Sequence, residues 1–249
     1  MRKLDELIAA LTLLTRLPVS GLVGHRNWPE EGASVWAYPL VGALVGSVGG
    51  GVLWATQRLG TPPGAAAILA LAAMLWLTGG LHEDGLADTA DGFGSGRTAG
   101  RKLDIMRDSR IGAYGALALI VAVSLRGTLL ASLPAPAGAA ALVASGGLGR
   151  GAIVVVVALL RPARAEGSAA ALRHVRPGAT ATGLLLALAA ASPLPANAVM
   201  ACIVGAGLAA LGTAALARQQ VGGYTGDILG AGAVLAECAV LTIAASSRF

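Results

Sequence analysis

Residues 138–160 read GAAALVASGGLGRGAIVVVVALL, an apolar run broken by one charge, Arg150. The run exceeds the ~20 residues that a helix needs to cross the hydrocarbon of a bilayer. Its Ala, Gly and Leu content suits close packing between helices in lipid rather than the alternation of a barrel strand. Six further apolar stretches flank it, at 34–57, 64–80, 113–133, 179–195, 198–217 and 228–245. The expected fold is therefore all-α: a polytopic integral membrane helical bundle of about seven transmembrane helices. The fifth of these, rich in alanine, has the weakest apolar signal. Residues 1–17 carry Leu4, Leu7, Ile8, Leu11, Leu14 and Leu17 at helical spacing. They predict an N-terminal helix lying at the membrane interface, with Asp5, Glu6 and Arg16 interrupting anything resembling a cleavable signal.

Composition agrees. Of 249 residues, 55% are hydrophobic and 12% charged, against about 25% charged in soluble domains. Mean hydropathy is +0.73. A soluble globule and a disordered chain are both excluded. The chain reads as one membrane-embedded catalytic domain, 1–249, whose solvent is the lipid bilayer. The net charge of +5 belongs to loop asymmetry and implies no nucleic acid partner. With residues 1–33 in the cytoplasm, the loops 81–112, 161–178 and 218–227 join them, and 14 of the 18 Lys and Arg residues fall on that side, Arg26 included. The opposite side receives Arg58 and Arg248. This bias predicts an N-terminus inside and a C-terminus outside. Cys202 and Cys238 sit in apolar stretches and read as small core residues.

Six of the 13 acidic residues fall between 83 and 108, densest in GGLHEDGLADTADGFGSG, residues 79–96. Asp84, Asp88 and Asp91 at i, i+4, i+7 share one helical face, with Glu83 beside them. Carboxylates this close repel one another unless a cation stands between them. Hard oxygen ligands suit Mg²⁺, which commonly binds through few carboxylates together with substrate phosphates. Glu83, Asp84, Asp88 and Asp91 are thus the expected metal ligands, and the plain alternative is a solvated acidic face. His82 suits Mg²⁺ poorly and is expected as a secondary contact. Downstream, Arg101, Lys102, Arg107 and Arg110 offer donors for phosphate oxygens, or serve only the loop-charge bias. Acids for a metal and bases for phosphates make up the parts of a phosphoryl-transfer site.

A second polar island, QQVGGYTGDILG at 219–230, places Tyr224, Thr225 and Asp227 among glycines on the same side. Asp227 either caps the last helix or joins the catalytic aspartates. Arg126, Arg150 and Glu237 fall within spans, where ionisable groups face the bundle interior and have partners. Pairing of Arg150 with Glu237 is one arrangement open to them, and Arg150 is also a candidate phosphate donor.

These motifs together resemble a known family. GGLHEDGLADTADGF at 79–93, RDSRIGAYGALAL at 107–119 and GGYTGDILGA at 222–231 are similar to adenosylcobinamide-GDP ribazoletransferase, or cobalamin synthase. TRLPV at 15–19 and YPLVGALVG at 38–46 follow in the family's order, so the resemblance runs from about residue 11 to about 240. It implies that adenosylcobinamide-GDP is joined to α-ribazole or its 5′-phosphate with release of GMP. The product would be adenosylcobalamin or its 5′-phosphate. It also implies Mg²⁺ as cofactor, the bacterial inner membrane as location and a cytoplasmic active site. A homo-oligomer or a complex with other cobalamin-assembly enzymes is left open. Two other readings stand beside it. A CDP-alcohol phosphotransferase also clusters aspartates on membrane helices, but its motif carries an Ala-Arg pair where this chain has Ala87-Asp88. A cation-coupled transporter expects its carboxylates near mid-span, whereas most here lie in loops or at span ends.

Overall fold

The computed structural model describes residues 2–22, 29–164 and 168–247. Eleven α-helices, numbered in chain order, and three short 3-10 segments make up the described chain, with no β-strand among the described residues. Arg26 and Arg248, counted in the charge asymmetry, lie outside the described residues.

The centre of the bundle is α8 (Ala135–Leu159), most of whose length is buried. It packs against α3 (Tyr38–Arg58) through glycines one turn apart. A methyl group on Gly42 or Gly46 would run into the backbone of Gly146 or Leu142, and one on Gly50 would meet Ala139 at 3.0 Å. Small residues let the two backbones approach, which is how helices gain packing energy where lipid supplies no hydrophobic drive. On the other flank lie α10 (Ala196–Val221) and α11 (Gly226–Ser246). The Cys202 thiol lies 3.7 Å from the Val240 carbonyl oxygen between them, a buried core position as expected. Cys238 is partly buried.

Among the described residues five helices are long and apolar enough to cross a membrane: Gly32–Arg58, α7 (Ala113–Ala131), α8, α10 and α11. A sixth arises only if α4 (Pro63–Thr78) and α5 (Leu81–Ser95) are taken together, and these meet at an 89° bend. The expected count of seven is therefore corrected to five or six. The fifth stretch forms α9 (Pro177–Ala189), 13 residues, or about 20 Å at 1.5 Å per residue, short of the ~30 Å hydrocarbon core. It runs antiparallel to α8, with Gly183 facing Val154 and Ala187 facing Gly151. The second stretch breaks because Gly79 and Gly80 both adopt left-handed backbone, φ +69° and +70°. Glycine alone takes two such residues in a row without steric cost, so α4 ends there and the acidic segment leaves in a new direction.

The expected N-terminal helix forms as α1 (Arg2–Leu14). Ile8 and Leu14 bury on the protein side, and Leu4 stays 60% exposed. Glu6, an apparent interruption, is buried: its carboxylate accepts from the Trp36 indole N–H at 2.7 Å and from Lys3 at 2.8 Å. That pins α1 to the start of the Gly32–Arg58 segment. The end of α1 and the start of α5 border two neighbouring cavities, one of which the start of α11 also lines and the other the loop before α7.

Candidate active site

Because the glycine pair re-aims α5, its N-terminal half packs into the bundle between α7 and α11. The contact is backbone-close: a methyl group on Gly85 would come within 2.6 Å of the Asp227 carbonyl oxygen, and one on Gly230 within 3.1 Å of His82 Cα. The two polar islands of the sequence, about 140 residues apart, therefore meet. Asp84 projects at their junction and lines two cavities. The smaller, about 140 Å³, also has His82 and Asp227 in its wall. The larger, about 640 Å³, also has Glu83, Asp88 and Arg16. Asp88 feels the charges of Asp84, Asp227 and Asp91.

The four expected metal carboxylates separate into two kinds. Asp84 and Asp88 face the larger cavity and have no ion-pair partner among the described residues. Asp91 is buried, and its carboxylate accepts from the backbone N–H groups of Gly112 at 2.7 Å and Gly115 at 2.9 Å. It thereby closes the N-terminus of α7, where unpaired amides favour an anion. Glu83 accepts from Arg126 at 2.9 Å. Among the described residues no three His, Cys, Asp or Glu side chains are placed to hold a metal by themselves. A four-carboxylate cradle is thus not what forms. What faces the cavity is a carboxylate pair with Asp227 near by, hard oxygen donors of the kind that could hold an ion completed by substrate phosphates.

Beneath the cavities lies a buried ionic network. Arg126 donates to Glu83 and Glu237, each at 2.9 Å. Arg150 donates to the other Glu237 oxygen, and its second terminal nitrogen lies 3.3 Å from His82 Nδ1. Two guanidinium groups and two carboxylates balance, as burial in low dielectric requires. The pairing of Arg150 with Glu237 is among the arrangements the sequence left open. Arg150 is therefore bound inside the bundle and corrects the expectation of a phosphate donor. His82 holds the start of α5 against α8 and borders the small cavity.

In the second island, Tyr224 is buried and its backbone pairs with 161–163: its N–H donates to the Arg161 carbonyl at 3.0 Å, and its own carbonyl accepts from Ala163 at 2.8 Å. Gly223 permits this approach, since a side chain there would strike the Arg161 carbonyl. Thr225, not Asp227, caps α11, accepting from the Ile228 N–H at 3.3 Å. Its hydroxyl lies 3.1 Å from Asp227 Oδ2. Asp227 is thereby freed from the capping role.

The basic residues of 101–110 line neither cavity. Lys102, on α6 (Ala99–Ile105), donates to Gln220, while Arg101 and Arg107 are exposed. Arg110 grips Asp108 at 2.7 Å, and that hydrogen bond holds the Asp108 carboxyl down at about 2. The cation within the larger cavity is Arg16, to which the sequence assigned only topology. Its backbone N–H donates to the Leu77 carbonyl at 2.8 Å, and its side chain crosses Gly79 where any Cβ would collide with it. The signal was there in TRLPV, but nothing in sequence spacing links residue 16 to residues 79–88. Arg164 was also missed. Burial and the neighbouring Arg107 bring its pKa below the usual value, while Asp227 and Asp104 act in the opposite sense.

The family model of cobalamin-5-phosphate synthase matches residues 6–245. The chain belongs to this family. Relatives named adenosylcobinamide-GDP ribazoletransferase share most of its length. That of Mesorhizobium japonicum is 42% identical over 97% of this chain and 93% of the relative. Those of Azorhizobium caulinodans and Leptothrix cholodnii are 43% and 42% identical, over 96% and 92% of this chain and 95% and 90% of theirs. No solved structure matches. Membership in the synthase family sets aside the lipid phosphotransferase and transporter readings. It also fits the mid-span Glu237, which is neutralised by two arginines rather than open to a transported cation.

Proposed function

We propose that this chain joins adenosylcobinamide-GDP to α-ribazole or its 5′-phosphate, releasing GMP, and that Asp84 stands where the two substrates meet. The chain is a transferase of cobalamin nucleotide-loop assembly. The observation that carries the site reading is the position of Asp84, common to both cavities, with Asp88 on one side and Asp227 on the other. A two-substrate displacement needs such a shared wall, since reacting atoms must come within about 3–3.5 Å.

The ribazole hydroxyl attacks the phosphorus bonded to the cobinamide arm. A new P–O bond forms, the bridging P–O bond of the diphosphate breaks, and GMP leaves with the electron pair. Asp84 and Asp227 are the carboxylates beside the small cavity that can receive the hydroxyl proton. Arg16 neutralises diphosphate oxygens in the larger cavity. Asp84 and Asp88 would hold Mg²⁺, which when bound supplies charge neutralisation of the diphosphate. The loop-charge bias supports a cytoplasmic site in the bacterial inner membrane, the compartment where nucleotide substrates are made. Assembly as a homo-oligomer, or with other enzymes of the same route, belongs to this reading as a partner class.

The test is release of GMP by purified protein in detergent, with and without α-ribazole, across a Mg²⁺ titration. Release that depends on both, and that falls at least tenfold in Asp84→Asn (about 1.4 kcal/mol of transition-state stabilisation), is expected. Asp84→Asn with wild-type turnover and wild-type Mg²⁺ dependence would remove Asp84 from the centre.

A further inference from the structure

We infer that the small cavity is the acceptor-base subsite, which takes the dimethylbenzimidazole ring of α-ribazole and leaves the larger cavity to the diphosphate. This deepens the reading above and rests on it. The cavity is walled by Leu13 and Leu14 of α1, Ile153 of α8, Leu172 of the 3-10 segment Ser168–His174, and Leu229 of α11. Asp84 and Asp227 are its carboxylates.

Size makes the first selection. At about 140 Å³ it is close to the ~150 Å³ apolar cavity that admits a benzene. It therefore has room for the six-membered edge of an aromatic ring system, and a corrin is far too large to enter. Chemistry makes the second. Both substrates bring an aromatic base, guanine on one and dimethylbenzimidazole on the other. Guanine carries a carbonyl and three N–H donors, and burying such groups without partners is costly. The five aliphatic side chains named above have no hydrogen-bonding group to give. Of the polar groups in the wall, His82 already lies against Arg150. Asp84 and Asp227 are taken by the metal and the ribose hydroxyl in the reading above, and the Tyr38 hydroxyl is a single group against guanine's four. The dimethylated edge of the benzimidazole has no polar group to satisfy and gains from burial. With the ring against the leucines, the ribose extends toward Asp84 and Asp227. That places its hydroxyl at the wall shared with the diphosphate cavity.

The test uses Ala169→Leu, which adds bulk to the wall from the 3-10 segment, and Leu172→Ala, which removes it. Steady-state kinetics follow each substrate in turn, with melting temperature in detergent as the check on folding. Ala169→Leu is expected to raise KM for α-ribazole about tenfold, leaving KM for adenosylcobinamide-GDP within about twofold. Leu172→Ala is expected to accept a riboside of the larger naphthimidazole better than wild type does. Direct binding of α-ribazole, read by benzimidazole fluorescence without corrinoid, should weaken in parallel in Ala169→Leu. Wild-type protein that releases no GMP would overturn the reading of the reaction. In an active enzyme, a change confined to KM for adenosylcobinamide-GDP, or weakened inhibition by GMP, would place guanine in the cavity and overturn the subsite. Unchanged constants in both variants would overturn it equally.

Discussion

Asp91 belongs to the acidic motif in sequence and to the helix-capping machinery in space, and Asp91→Asn separates the two roles. The buried carboxylate accepts one N–H from Gly112 at 2.7 Å and one from Gly115 at 2.9 Å, each on a different oxygen. An asparagine keeps one acceptor oxygen and turns an NH₂ toward the other amide. One hydrogen bond to a charged group is therefore lost, worth about 1.5–3 kcal/mol. For a chain of this length, about 2 kcal/mol lowers the melting temperature by roughly 4–8 °C. Thermal unfolding in detergent, followed by circular dichroism, measures this. Turnover and the Mg²⁺ concentration for half-maximal activity are then read below the melting range. The expected outcome is an enzyme that melts early yet needs no more Mg²⁺ than wild type, in contrast to Asp84→Asn. An Asp91→Asn protein that melts within about 1 °C of wild type and requires several-fold more Mg²⁺ would refute the capping role and return Asp91 to the metal.

Glu237→Gln leaves the guanidinium groups of Arg126 and Arg150 with Glu83 as the remaining carboxylate of the network. Unfolding in a detergent series should show a loss of about 3 kcal/mol or more, and Arg150→Gln in the same chain should return part of it. Gly85→Ala forces a methyl group against the Asp227 backbone. It should push α5 from α11 and cut GMP release more than tenfold, while Gly100→Ala, where a methyl meets open space, should leave release unchanged. Single cysteines at the exposed Ser95 and Ser109, in a background lacking Cys202 and Cys238, should label with an impermeant maleimide from the cytoplasmic side in oriented vesicles. Labelling only from the periplasmic side would reverse the orientation.

How far the sequence leads depends on the range of the interaction. Apolar runs such as 138–160 declare their own environment, so the all-α membrane class was legible from hydropathy. The motifs carried the family, and the in-span positions of Arg126, Arg150 and Glu237 announced a buried network. The second partner of Arg126, Glu83, was not legible, because helical spacing along α5 places Glu83 beside Asp84 whether it faces a metal or an arginine. The same ambiguity hid Asp91, whose partners are backbone amides with no signature of their own. The 89° bend was written in Gly79-Gly80, yet a hydropathy profile carries straight through two glycines. Arg16 reaches the cavity only through the fold, and loop-charge counting treats it like any other basic residue.

The buried network also orders the biosynthesis of the chain. On insertion scales an arginine at the centre of a helix costs about 2.5–3.5 kcal/mol, and α7 and α8 each bring one into the bilayer. Glu83 precedes both arginines and can meet Arg126 as α7 enters. Arg150 must wait for Glu237, 87 residues later and in the last helix. Until α11 leaves the ribosome, then, α8 carries a cation without its counter-charge. Arrival of the C-terminal helix neutralises that cation and, in the same step, brings Asp227 to Asp84. Completion of the electrostatic core and completion of the catalytic wall are one event, so an unfinished chain has neither.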